Sequence, residues 1–137
     1  MKRFMRRAVL AFVGVALAAC AGSGPSGPPP SKSFFVFFAV DGAELLPEAV
    51  AVIDRIAGEA RRTDATGVRI IGYASPAGAP AHNLRLSEQR ATAVEGALLS
   101  RGVPQGLLVR TSQGETPVIG PQIEGQRVEV VVVRETR

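Results

Sequence analysis

A run of glycine, proline and serine at residues 21–33 divides this chain and limits what it can fold into. Gly22, Ser23, Gly24, Pro25, Ser26, Gly27, Pro28, Pro29, Pro30 and Ser31 all fall within thirteen positions. Such a stretch has almost nothing to bury, so it stays extended and solvated. In polyproline geometry, at about 3.1 Å per residue, it reaches roughly 40 Å at most. Folding is therefore left to residues 34–137, which is about the commonest size for one domain and enough for one core. Cys20 is the only cysteine, so no internal disulfide forms and the core alone must hold the domain.

In front of this linker, residues 1–19 read as an export signal. Lys2, Arg3, Arg6 and Arg7 precede an apolar run at 8–19 that ends in small residues, the three-part pattern of a removable leader. A bilayer-spanning helix needs about 20 apolar residues, more than this run supplies. Leu17-Ala18-Ala19-Cys20 resembles the bacterial lipobox. That resemblance implies cleavage before Cys20, acylation of its thiol and new amino group, and a mature chain that starts there. Ala21 follows, rather than aspartate, which implies sorting to the outer membrane. The charge balance changes with processing. The whole chain carries 16 Lys+Arg against 12 Asp+Glu, net +4, and the four basic residues of the leader account for all of the excess. The mature chain is formally neutral. No Lys/Arg run interleaved with aromatics remains, so nucleic acid is not an expected partner.

Residues 34–137 alternate between strand and helix patterns. Phe34-Phe35-Val36-Phe37-Phe38 reads as a strand, its aromatics expected in the core, closed by the turn signal Asp41-Gly42. Pro47 suits a first helical turn, and Leu46, Ala49, Val50, Ile53, Ala57 and Ala60 recur at three- and four-residue steps. That face predicts a helix with Glu48, Asp54, Arg55, Glu59, Arg61 and Arg62 left to solvent. Residues 68–73 predict a second strand, and Ser75-Pro76-Ala77-Gly78 a loop. A second helix runs to about Ser100, with Ala91, Val94, Ala97 and Leu98 inward and Gly102 and Pro104 as its stop. Residues 107–111 and 128–133 predict two further strands. The valines of the last face both ways and predict an interior strand covered on both faces. The result is a single domain of the α/β (α+β) class, β-α-β-α-β-β, with helices packed on a mixed sheet.

Four ordered pieces of this domain resemble the OmpA-like peptidoglycan-binding family. They are Phe38-Ala39-Val40-Asp41-Gly42-Ala43-Glu44-Leu45, the loop Gly72-Tyr73-Ala74-Ser75-Pro76-Ala77-Gly78, the segment Asn83-Leu84-Arg85-Leu86-Ser87-Glu88-Gln89-Arg90-Ala91, and Gly114-Glu115-Thr116-Pro117 with Gln126-Arg127-Val128-Glu129. The third matches an N-x-x-L-S-x-x-R-A signature at full spacing. With the lipobox and linker in front, the layout is similar to that of the lipid-anchored members, the peptidoglycan-associated lipoproteins of Gram-negative bacteria.

The resemblance implies non-covalent recognition of the diaminopimelate side chain of a peptidoglycan stem peptide, a zwitterion carrying a carboxylate and an ammonium. It aligns Arg90 with the arginine that takes the carboxylate, a role suited to a planar bidentate fork. It aligns Asn83 with a polar contact on the same helix, although asparagine there also suits a helix N-cap. Arg127 is a further candidate from the last strand, with a one-residue ambiguity at Gln126. Asp41 aligns with a position near the cleft, or serves only its turn. Ser75 departs from the pattern: family members that grip the ammonium carry aspartate there, and a hydroxyl accepts a hydrogen bond without supplying charge.

Two readings follow. One is an outer-membrane lipoprotein that tethers the membrane to peptidoglycan; the other is a lipid-anchored envelope scaffold, meeting envelope proteins, that has lost wall binding through Ser75. Nothing points to an enzyme. His82 is the only histidine, no G-x-S-x-G elbow surrounds Ser75, and Cys20 is expected to be acylated. One histidine and one blocked thiol assemble no metal cluster, and no cofactor is expected.

Overall fold

The computed structural model describes residues 30–115 and 125–135. The expected export signal, Cys20, the linker as far as Pro29, and Thr116 and Pro117 lie outside the described residues. The element order is β1 (Ser31–Phe37), α1 (Pro47–Arg62), β2 (Gly67–Ala74), α2 (Pro80–Ser100), a 3₁₀ turn (Gln105–Leu107), β3 (Leu108–Glu115) and β4 (Arg127–Val133). This is the expected β-α-β-α-β-β succession.

Prolines start both helices. Pro47 and Pro80 occupy the first turn, where a missing N–H leaves no intrahelical bond unmade. α2 stops at Gly102, whose φ of 80° places it in the left-handed region. The Gly102 amide donates to the Leu99 carbonyl and that of Val103 to Leu98, closing a Schellman cap.

β4 lies between β1 and β2, antiparallel to both, and β2 pairs parallel with β3, so the sheet order is β1-β4-β2-β3. The chain moves across the sheet in one direction from β1 to β2 to β3. Two crossovers of the same hand then place both helices on one face. There Val36, Val68, Ile70, Val128, Val130 and Val132 meet Ile53 and Ile56 of α1 and Ala91, Val94 and Leu98 of α2, all fully buried. At Gly72 the backbones of β2 and α2 come close together. A Cβ at that position would overlap the Ser87 carbonyl oxygen and lie 3.1 Å from Ala91 Cβ.

Three expectations are corrected. β4 is interior, but among the described residues the helices cover only one face. Val131 on the other face is buried beside its strand neighbours Ser33 and Arg69, while Phe35 and Phe37 stay exposed. β1 starts at Ser31, inside the expected linker, because residues 31–33 pair with Val131, Val132 and Val133 through backbone bonds that polar side chains do not signal. Glu59, assigned to solvent, is buried between Arg62 Nη2 at 2.6 Å and Lys32 Nζ at 3.4 Å. The hydrogen bond from Arg62, opposed by desolvation and helped by the charges of Arg62 and Lys32, holds its carboxyl below the usual glutamate value. A depressed carboxyl contributes stability at neutral pH that is lost as the pH falls through its lowered pKa.

Candidate ligand-binding cleft

The Asn83 to Ala91 signature forms one face of α2. Residues 83, 86, 87, 90 and 91 recur at three- and four-residue steps, and all five are buried. A half-polar buried face requires a partner for each polar group. Ser87 Oγ donates to the Leu84 carbonyl at 2.7 Å and accepts from the Gly114 amide at 3.1 Å, tying α2 to β3. Asn83, 2% exposed, donates from Nδ2 to the Ala77 carbonyl at 3.1 Å and to Glu115 Oε1 at 3.2 Å. It thereby links the loop after β2 to the end of β3.

Arg90 is the most unusual member. It is 1% exposed, and its partners are three backbone carbonyls: Nε donates to Gly42 at 2.7 Å, Nη1 to Tyr73 at 3.1 Å and Nη2 to Ala39 at 3.0 Å. The Phe38 ring lies 5.5 Å from the guanidinium. A guanidinium has five N–H donors, so one remains on each terminal nitrogen. Burial lowers its pKa from the ordinary arginine value, and the Asp41 carboxylate acts in the opposite direction. The group stays charged. Three neutral carbonyls orient that charge without neutralising it.

Arg90 lines a cleft of 370 Å³ together with Val40, Asp41, Ser75, Ala77, Gly78, His82, Asn83, Leu86 and Gln126. The β1–α1 connection supplies Asp41, 78% exposed and held at φ 51° in its turn. The loop after β2 supplies Ser75, whose Oγ accepts from the Ala77 amide at 3.5 Å, a local turn contact. His82 Nε2, on the first turn of α2, stands 3.8 Å from Asp41 Oδ1 across the mouth. Among the described residues of the lining, Asp41 is the one carboxylate and Arg90 the one permanent cation.

The structure thus brings four of the five expected site residues, Arg90, Asn83, Ser75 and Asp41, to one cavity, two of them with different local roles. Asn83 is not an N-cap, since α2 begins after Ala79 and the Asn83 amide already donates to the Ala79 carbonyl. Arg90, a helical arginine that could equally have paired with an exposed glutamate of its own helix, binds backbone carbonyls instead. The fifth residue, Arg127, is elsewhere. Its guanidinium lies over Tyr73 at 5.1 Å and Phe35 at 5.7 Å, on the sheet face away from the helices. Gln126 lines the cleft instead, fixed by its carbonyl, which accepts from the Phe38 amide at 2.9 Å. Sequence reasoning missed His82 as a cleft residue, although it directly precedes Asn83 in the signature helix.

Comparison with known proteins gives three kinds of match. The model of the OmpA family matches residues 37–129. The peptidoglycan-associated lipoprotein of Haemophilus influenzae is 30% identical over 130 residues, covering 84% of this chain and 85% of that one. Outer membrane protein P5 of the same species is 31% identical over 106 residues, 74% of this chain but only 30% of the length of P5. Among solved structures, the OmpA-like domain of FopA1 from Francisella tularensis superposes with a TM-score of 0.70 at 23% identity, covering 78% of this chain and 75% of that one.

Proposed function

This chain belongs to the OmpA family, and from that membership and the cleft we propose that it is a non-enzymatic outer-membrane lipoprotein whose domain binds peptidoglycan. The carboxylate of a stem-peptide diaminopimelate meets the two remaining N–H groups of Arg90, while its ammonium meets Asp41. The observation that carries this reading is a buried guanidinium without a carboxylate partner among the described residues, set in the same small cavity as one rim carboxylate. By its name, a relative that matches most of the chain is itself associated with peptidoglycan and is a lipoprotein.

The placement of the cleft suits a tether. Ser31 and Gly67 both pair with Val133, at the end of the sheet where the Pro30 carbonyl accepts from the Arg134 amide. Asp41, Ser75 and Gln126 lie beyond the opposite ends of β1, β2 and β4. At about 3.3 Å per residue, the seven residues of β1 separate the two ends by roughly 20 Å. A chain acylated at Cys20 then arrives at one end and presents its cleft at the other. Several buried acyl chains, each contributing about 0.8 kcal/mol per CH₂, make such an anchor effectively permanent.

Ser75 supports the second reading, an envelope scaffold without wall binding, because it brings no charge to the position where the resemblance calls for aspartate. The two readings separate on purified sacculi. Wild type is expected to co-sediment and to be released by free diaminopimelate. Ser75→Asp preserves the turn, since a carboxylate oxygen accepts the same Ala77 amide, and adds a second anion. It is expected to bind about tenfold more tightly, with a gain that shrinks in high salt. Absence of sedimentation by both proteins would favour the scaffold.

A further inference from the structure

Among the described residues a single carboxylate lines the cleft, and that carboxylate already has a neighbour. Ser75 adds no charge, so among the described residues Asp41 alone lines the cavity as an anion. His82 Nε2 stands 3.8 Å from Asp41 Oδ1, reaching from the first turn of α2 to the β1–α1 connection. Both side chains are well exposed, 53% and 78%, at the mouth where a ligand enters. We propose that His82 is a specificity-determining residue of the cleft, which sets the affinity for a ligand ammonium by competing for Asp41. This deepens the peptidoglycan reading and rests on it.

The charged groups around His82 fix the sign. From the β1–α1 connection it faces Asp41; Glu44 on the same segment does not line the cavity. From α2 the cavity also receives Arg90, at its floor. The loop after β2 contributes Ser75, Ala77 and Gly78, and the residue before β4 is Gln126, none of them charged. On its own helix, Arg85 and Glu88 lie outside the cleft lining. An imidazole is the one side chain in this set that exists in both neutral and cationic forms near neutral pH. Protonated, it pairs with Asp41 and repels the incoming ammonium. Neutral, it leaves the carboxylate to the ligand. The ligand carboxylate is held by Arg90, eight residues or about 12 Å farther along α2 than His82, so the loss of the ammonium contact prevails. Binding therefore weakens on acidification, and the cleft discriminates most strongly for a cationic group above neutrality.

The test is calorimetric titration of the full chain, in detergent, with a diaminopimelate-containing stem peptide at pH 7.5 and pH 5.5. Wild type is expected to bind about three- to tenfold more weakly at pH 5.5. His82→Gln, uncharged throughout, is expected to bind with nearly the same affinity at both values. His82→Lys, charged throughout, is expected to be weak at both. Equal wild-type affinity at the two pH values, or a pH dependence retained in His82→Gln, overturns the role of His82 and leaves the cleft reading intact. No wild-type binding at either pH overturns both.

Discussion

Arg90→Ala is expected to lower the melting temperature by more than about 12 °C and to abolish binding to sacculi. The arginine satisfies the carbonyls of Ala39, Gly42 and Tyr73 from a position 1% exposed. Truncation leaves three acceptors from two separate segments without their donor. Unmaking a buried, charge-assisted set of this kind costs about 3–5 kcal/mol, and each kcal/mol moves a domain of this size by about 4–8 °C. Arg90→Lys retains the charge, but one ammonium does not span three carbonyls or present a planar fork. That variant is expected to melt between wild type and Arg90→Ala and still to lose stem-peptide binding. Thermal unfolding of the three proteins checks the stability claim, and unchanged melting in Arg90→Ala would refute the structural role.

Two glycine substitutions are expected to have opposite signs. Gly72→Ala places a methyl group against the Ser87 carbonyl, the backbone of the signature helix, which has no flexible side chain to move aside. α2 must shift off the sheet, at a cost of about 3 kcal/mol, or roughly 12 °C or more in melting temperature. Gly58→Ala, within α1, meets nothing within 4 Å. It gains about 0.5–1 kcal/mol from helix propensity, and a slightly raised melting temperature is expected. Comparable melting of the two variants would contradict the packing of α2 on β2. Displacement of α2 also moves Arg90 and Asn83, so Gly72→Ala is expected to weaken ligand binding as well.

The succession of elements was legible because its signals are local. Aromatic and β-branched runs mark β1, β2 and β4, Pro47 starts the first helix, and Gly102 ends the second. Sheet order was not legible, because nothing local to Arg127–Val133 states that it inserts between β1 and β2. The early start of β1 was hidden for a related reason: Ser31, Lys32 and Ser33 join through the backbone while their side chains read as linker. Glu59 was read as solvated because its partner Lys32 is distant in sequence. At the site, the spacing of Asn83, Leu86, Ser87, Arg90 and Ala91 marked a single helix face. Several of their partners lie on segments far along the chain, so the carbonyl cradle of Arg90 and the bridging role of Asn83 emerged only in three dimensions. Arg127 carried a one-residue ambiguity with Gln126, and Gln126 lines the cleft while Arg127 lies over Tyr73. Adjacent positions along a strand point to opposite faces, and one step separates a residue over Tyr73 from one in the cleft.

The central claim is that this cleft recognises the carboxylate and ammonium of diaminopimelate through Arg90 and Asp41. It is tested most directly by titrating the full chain at pH 7.5 with two stem peptides that differ only in carrying diaminopimelate or lysine. Lysine keeps the ammonium and lacks the side-chain carboxylate that Arg90 is oriented to take. The diaminopimelate peptide is expected to bind, and the lysine peptide to bind at least about tenfold more weakly, as the loss of a charge-assisted bidentate contact requires. Equal affinity for the two peptides, or binding of neither, would contradict the account.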